Sequence, residues 1–330
     1  MNVIISLLAV LALVAIAFVG AGGAGLRTLF GVVIPYVAIL TFVVGVVYRI
    51  IKWARSPVPF KIPTTCGQQK TLPWIKHSKL EAPHNTLQVI GRMLLEILLF
   101  RSLFRNTKVE LKEDRNLAYG ENIWLWLAGL AFHWCFLIIF LRHFRFFVEP
   151  VPFFVSLLEF GDAFFEIGVP ALFVTDAIMI AAVTYLLLRR LFIPQIRYIS
   201  LPADYFPLFL ILGIAITGVL MRHFLKVDLL SVKQLALGLF TFSPKVPEGI
   251  GVLFYIHLFL VSTLLLYFPF SKLLHMPGVF MSPTRNTANN GREVRYVNPW
   301  NYPVKVHTYE EWEDEFREVM REAGMPLEKE

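Results

Sequence analysis

Six apolar stretches, at residues 2–20, 29–51, 122–143, 164–189, 205–223 and 250–271, constrain what this chain can fold into more than anything else in it. A backbone in lipid must satisfy its own hydrogen bonds, and one helical crossing takes about 20 apolar residues. Each stretch is bounded by charge, proline or glycine, so each reads as one crossing. Composition agrees, because 56% of the 330 residues are hydrophobic and 17% are charged. A soluble domain carries about 25% charged residues. The expected fold class is therefore an all-α integral membrane protein with six transmembrane helices. The first stretch, MNVIISLLAVLALVAIAFVGAGGAG, lacks a basic leader and reads as a retained helix, with cleavage among its small residues as the alternative.

The connections carry opposite charge biases. The loop 52–121 is long and basic, and the link after the fourth stretch holds Arg189, Arg190 and Arg197. The link 144–163 sets Arg145 against Glu149, Glu159 and Asp162. Positive charge favours the cytoplasmic side. This places 52–121, 189–204 and both termini in the cytoplasm of a multi-pass protein of the cell membrane. Within the loop, TLQVIGRMLLEILLFRSLFRN is apolar but interrupted by Arg92, Glu96, Arg101 and Arg105, which are costly at the bilayer centre. It reads as an interfacial helix whose apolar face carries Met93, Ile97, Phe100 and Phe104. The tail segment EEWEDEFREVMREAG reads as a polar amphipathic helix. The two cysteines, Cys66 and Cys135, exclude a disulfide framework, and without CxxC or CxxCH the chain alone builds neither an iron–sulfur cluster nor a covalently attached c-type haem.

Histidine inside a membrane helix is a functional hypothesis by default. His133 and His143 lie ten residues apart on the third stretch, and His257 and His275 eighteen apart on and just past the last. The two stretches run in opposite directions, so antiparallel neighbours pair His143 with His257 at the outer face and His133 with His275 at the inner. Two facing imidazoles can clamp a planar iron porphyrin and make it an electron carrier. Two such centres form an electron wire, and a proton relay through the same side chains is the competing reading. Eighteen helical residues rise about 27 Å and ten rise about 15 Å. The last helix must therefore tilt or bend, and Pro269 supplies a break. Arg142, Arg145 and Arg222 stand at the outer ends and could hold haem propionates, with a solvated-charge reading equally open. His223 is a fifth candidate, as an alternative ligand, a quinone contact or a helix-end cap.

These histidine spacings and the ending FPFSKLLH resemble the gamma subunit, a cytochrome b, of respiratory nitrate reductases over residues 29–276. The segments IPTTCGQQKTLPWIKHSKLEAP and GRMLLEILLFRSLFRNTKVEL resemble the membrane cytochrome subunit of the complex accompanying dissimilatory sulfite reductase. The resemblance implies a five-helix dihaem bundle at 29–276, including the loop 52–121. An extra N-terminal helix at 1–28 and a cytoplasmic tail at 277–330 complete the chain. It implies two haems b, the outer on His143 and His257 and the inner on His133 and His275, with menaquinone as substrate. It further implies an electron-transfer subunit of an oxidoreductase complex in dissimilatory sulfur metabolism. The implied partners are a cytoplasmic iron–sulfur protein similar to heterodisulfide reductase, a periplasmic multihaem cytochrome c, a periplasmic iron–sulfur subunit and another integral membrane subunit. The quinone site would lie beside the outer haem, where Glu166, at the outer entrance of the fourth stretch, could accept a quinol proton. Competing readings are a related quinone-linked cytochrome b of another redox complex, a histidine-based proton transporter and a membrane anchor with incidental histidines.

Overall fold

The computed structural model describes residues 1–57, 67–111, 117–164, 170–292 and 306–329. Cys66 and Glu166 lie outside the described residues. Helix α1, Asn2–Ala17, runs into a π turn at Phe18–Gly23, and Gly25, at φ +67°, makes the tight connection to a second π turn and to α2, Ile34–Ala54. The loop after α2 holds α3, Thr86–Leu99, which is capped by the Asn85 side chain and ends where Phe100 turns left-handed at φ 49°. A short α4, Arg101–Phe104, leads to an antiparallel hairpin of β1, Thr107–Leu111, and β2, Leu117–Glu121. Then come α5, Ile123–Arg142, which tightens to a 3-10 turn at His143–Phe146, and α6, Phe153–Phe164. The chain continues through α7, Val174–Phe192; α8, Pro194–Ile199; and α9, Pro202–Val219, which loosens to a π turn at Leu220–Phe224. Last are α10, Leu229–Phe240; α11, Val252–Tyr267; α12, His275–Gly278; and, in the tail, α13, Tyr309–Glu322.

Among the described residues, five helical runs are long and apolar enough to cross a membrane: Asn2–Gly23, Leu29–Ala54, Ile123–Phe146, Pro202–Phe224 and Val252–Phe270. The fourth expected crossing is displaced. Where a helix over 164–189 was expected, residues 165–169 lie outside the described residues and α7 begins at Val174. Asp176 sits in the first turn of α7, where the positive end of the helix favours a carboxylate, and Arg189 and Arg190 end it. Those three charges lower its hydropathy, yet α7 packs between α5 and α9 as a full member of the bundle.

The helices form a curved row. α2 packs on α11, α11 on α9, α9 on α7 and α7 on α5, with α1 laid against α9 and α11. One core joins Val10, Leu210, Leu235, Tyr255 and Leu260, and a second joins Cys135, Met179, Val183 and Ile211, with Leu264 touching both. The outer surface is apolar, with Leu40, Tyr48 and Phe192 well exposed, as a lipid-facing surface requires. This is an α-helical, multi-pass membrane protein. Asn2 Nδ2 donates to Ser200 O at 2.9 Å and Lys272 Nζ to Asp204 at 2.7 Å, which brings the N-terminus, the α7–α9 link and the end of the last helix to one end of the bundle. Arg27 donates to Glu248 O, 3.2 Å away, at the other.

Helix α3 corrects the expected face. Arg92 and Glu96 are buried, whereas Leu87, Ile90, Leu94 and Leu98 point outward. Glu96 accepts from Ser102, Arg92 donates to Glu81 O at 3.2 Å, and Arg101 pairs with Glu81 at 2.6 Å. Charges neutralised within the segment free the leucine stripe for a surrounding apolar phase. The end of α3 is tied to α5 by Trp126 Nε1 to Leu99 O, 2.7 Å, and Trp134 Nε1 to Leu98 O, 3.0 Å.

The last helix does break at proline. α11 gives way to 3-10 turns at Phe268–Phe270 and Lys272–Leu274, separated by an extended Ser271, so His275 leaves the axis that carries His257. Pro269 is buried against α2, where a Cβ on Gly45 would stand 2.6 Å from the Pro269 Cβ. Replacing Gly45 with Val should therefore force α2 off the bend and destabilise the protein by about 1–3 kcal/mol. A thermal melt in detergent checks this, and an unchanged midpoint would show that α2 yields without cost.

Candidate functional site

The four histidines share one local design. His133 Nδ1 donates to Gly129 O at 2.7 Å, and His143 Nδ1 to Ile139 O at 2.7 Å, one turn back along α5 in each case. His275 Nδ1 donates to Lys272 O at 2.9 Å. His257 Nδ1 lies 2.9 Å from Thr217 Oγ1, whose own proton is directed at Gly213 O, 2.8 Å away, so the hydroxyl accepts from the imidazole. A carbonyl can only accept, so these partners keep the proton on Nδ1 and leave the Nε2 lone pair for another group. That is how a second partner orients a metal-binding histidine. Among the described residues, none of the four Nε2 atoms makes a hydrogen bond.

α5 and α11 do not pack extensively on each other. His133, His143 and His275 are exposed and His257 is half-buried, and the space between these rings is the slot in which a ligand would lie. His133 and His275 face each other with ring centroids 6.0 Å apart and planes at 81°. Two imidazoles bonded to one metal atom at about 2 Å each stand about this far apart. The Gly218 position on α9 admits the His257 ring, since a Cβ there would stand 3.3 Å from Cε1. Phe100, at the left-handed end of α3, and Phe132 pack edge-on against His133, with centroids at 4.9 and 4.8 Å.

Beside the His143 end lies a charged network that the sequence pointed to only in part. Arg142 is 5% exposed; its Nη1 donates to Asp162 and its Nη2 to Asp176, the latter at 2.6 Å. Asp162 also accepts from Thr175 N at 3.0 Å. His223 Nε2 stands 3.0 Å from Asp176 Oδ2. Arg145 pairs with Glu159, and Arg222 reaches the same carboxylate at 3.8 Å. The Phe173 ring lies between Arg142 and Arg222, at 4.7 and 4.3 Å from their guanidinium carbons. Arg142 thus has both terminal nitrogens on carboxylates, whereas Arg222 makes only the longer contact. Thr217 and Asp176 were not singled out from the sequence, because a threonine or aspartate acquires its role from a partner on another helix.

Comparison with known proteins bears directly on this arrangement. Residues 102–289 match the family described as nitrate reductase gamma subunit. The chain belongs to that family. The match begins beyond α2 and contains all four histidines. The chain is also 47% identical over 280 residues, 83% of each chain, to a protein of Archaeoglobus fulgidus named Hdr-like menaquinol oxidoreductase cytochrome b-like subunit. A protein of the same name from Archaeoglobus profundus is 41% identical over 278 residues, 81% of each chain. The residues present fit a b-type haem of a gamma-subunit-like cytochrome, because facing imidazoles with open Nε2 atoms border the slot.

The Thr217 contact gives the slot a direct test. Thr217→Val removes the acceptor for His257 Nδ1–H and should weaken haem binding at that end 10–100-fold, the usual cost of losing an orienting partner. Haemin titration of the haem-free protein measures it, and wild-type affinity would show that Thr217 does not orient the ring.

Proposed function

We propose that this chain is the membrane dihaem cytochrome b subunit of a redox complex. It would carry electrons between menaquinol and a cytoplasmic iron–sulfur partner similar to heterodisulfide reductase, in dissimilatory sulfur metabolism. One observation carries the reading: His133 and His275 face each other with ring centroids 6.0 Å apart, and all four histidines are pinned through Nδ1 with Nε2 left open. His143 and His257 would hold the outer haem and His133 and His275 the inner one. A haem bound through two histidines supplies one-electron transfer, since no axial position is left for a substrate. The names of the two Archaeoglobus relatives support menaquinol as the electron donor.

The protein's own part is to orient and to insulate. α5 sets two ligands ten residues, or about 15 Å, apart along one helix. The break after Pro269 brings His275 back to the level of His133. Arg222, with its single long ion pair, is the better-placed cation for a haem propionate, and Arg142 holds the neighbouring carboxylates. The basic bias of the loop 52–121 and of the α7–α9 link supports a cytoplasmic position for the His133 end and both termini. The partner would dock there, against the loop and the tail. The periplasmic cytochrome c, the periplasmic iron–sulfur subunit and the second membrane subunit belong to the same proposal.

A dithionite-reduced minus oxidised spectrum of the purified subunit, with pyridine haemochrome quantification, tests the proposal. Two haems b per chain are expected, falling to one in His257→Ala or in His275→Ala. A folded, haem-supplied preparation without haem would end the electron-carrier reading and return the histidines to proton transfer.

A further inference from the structure

We propose that His223 and Asp176 form the proton-accepting dyad for menaquinol at the His143/His257 end, an inference that rests on the quinol-oxidising reading above. His223 Nε2 is 3.0 Å from Asp176 Oδ2, and the two side chains are 7% and 9% exposed. The other ring nitrogen, Nδ1, makes no hydrogen bond among the described residues and is not enclosed. An imidazole backed by a carboxylate on one nitrogen and open on the other is the arrangement of a general base, the carboxylate stabilising the imidazolium that forms.

Several features hold this dyad in place. Asp176 is fixed from behind by Arg142 Nη2, and the other end of Arg142 is fixed by Asp162. The π turn at Leu220–Phe224, closed by Leu225 N to Leu220 O at 2.8 Å, inserts an extra residue where His223 must turn toward α7. Such insertions recur at functional sites. His223 lies six residues, or about 9 Å, along α9 from Thr217, the residue that orients His257. Asp176 accepts from Arg142, the residue before His143, at 2.6 Å. The dyad therefore lies beside the His143 end, where the quinol would bind.

The charges around His223 are Asp176 from α7, Arg142 from α5, Arg145 from the following turn, Glu159 and Asp162 from α6, and its own neighbour Arg222. Three guanidinium groups face three carboxylates. Each menaquinol oxidised to menaquinone loses two protons and two electrons. For each O–H bond that breaks, His223 Nδ1 would accept the proton and pass it to water, and the electron would leave to the haem that His143 and His257 would hold.

The test uses the purified, haem-loaded subunit with menadiol as donor, following haem reduction by absorbance. Wild-type protein whose haems menadiol does not reduce would overturn the quinol-oxidising reading itself. With wild-type reduction established, His223→Asn, whose amide can still bond Asp176, and Asp176→Asn should lower kcat about 100-fold. KM, haem content and the dithionite-reduced spectrum should stay unchanged. Wild-type rates in both variants would overturn the dyad, all the more if Glu166→Gln alone is slow. Loss of haem in proportion to loss of rate would also overturn it, by assigning His223 a structural role.

Discussion

The hydrogen bond at Nδ1 of each of the four histidines is the interaction on which the site depends. An imidazole in a membrane interior has two nitrogens to satisfy, and these bonds satisfy one while aiming the other. Two of the acceptors are carbonyls one turn back on α5, which a straight helix leaves within reach of a histidine ring. The other two come from elsewhere in the fold: a threonine side chain on α9 and a carbonyl in the broken end of α11. The bundle supports this by keeping α5 and α11 apart. α9 and α7 fill the row between them, so the histidines border a slot instead of disappearing into a core.

The network at the His143 end shows a different economy. A buried guanidinium is tolerated only when its charge is met, and removing one partner of such a pair typically costs about 3–5 kcal/mol. Arg142 is met twice, by Asp162 from α6 and Asp176 from α7, so one side chain on α5 fixes the start of α7. That coupling explains why the fourth helix starts later than its hydropathy suggests. The charges in its first turn serve the network, and its apolar content alone does not set its start. It also ties the proposed proton acceptor to the helix that carries two of the haem ligands.

Much of the architecture was legible in the chain because lipid leaves so little choice. A run of about 20 apolar residues has to be helical to satisfy its own backbone, and five of the six expected crossings appear within a few residues of where they were read. The pairing of His133 with His275 followed from spacing and antiparallel direction, and Pro269 marked the break that makes it possible. The helix over 86–99 was legible, but Arg92 and Glu96 turn inward while Leu87, Ile90, Leu94 and Leu98 turn outward. Sequence shows that Arg92 and Glu96 share a helix with leucines, and only the fold shows that the Glu81 carbonyl and the Ser102 hydroxyl stand on the inner side to bond them.

The sequence by itself determined the helices, their order, the charge bias of the loops and the candidate ligands, because each of these depends on residues close together along the chain. The tertiary structure decided what a neighbour on another helix supplies. It gave Thr217 to His257, both ends of Arg142 to Asp162 and Asp176, and Asp176 to His223. A hydrogen bond between residues 40 or 47 positions apart leaves no periodic trace in the chain, since its partners meet only when the helices have chosen their neighbours.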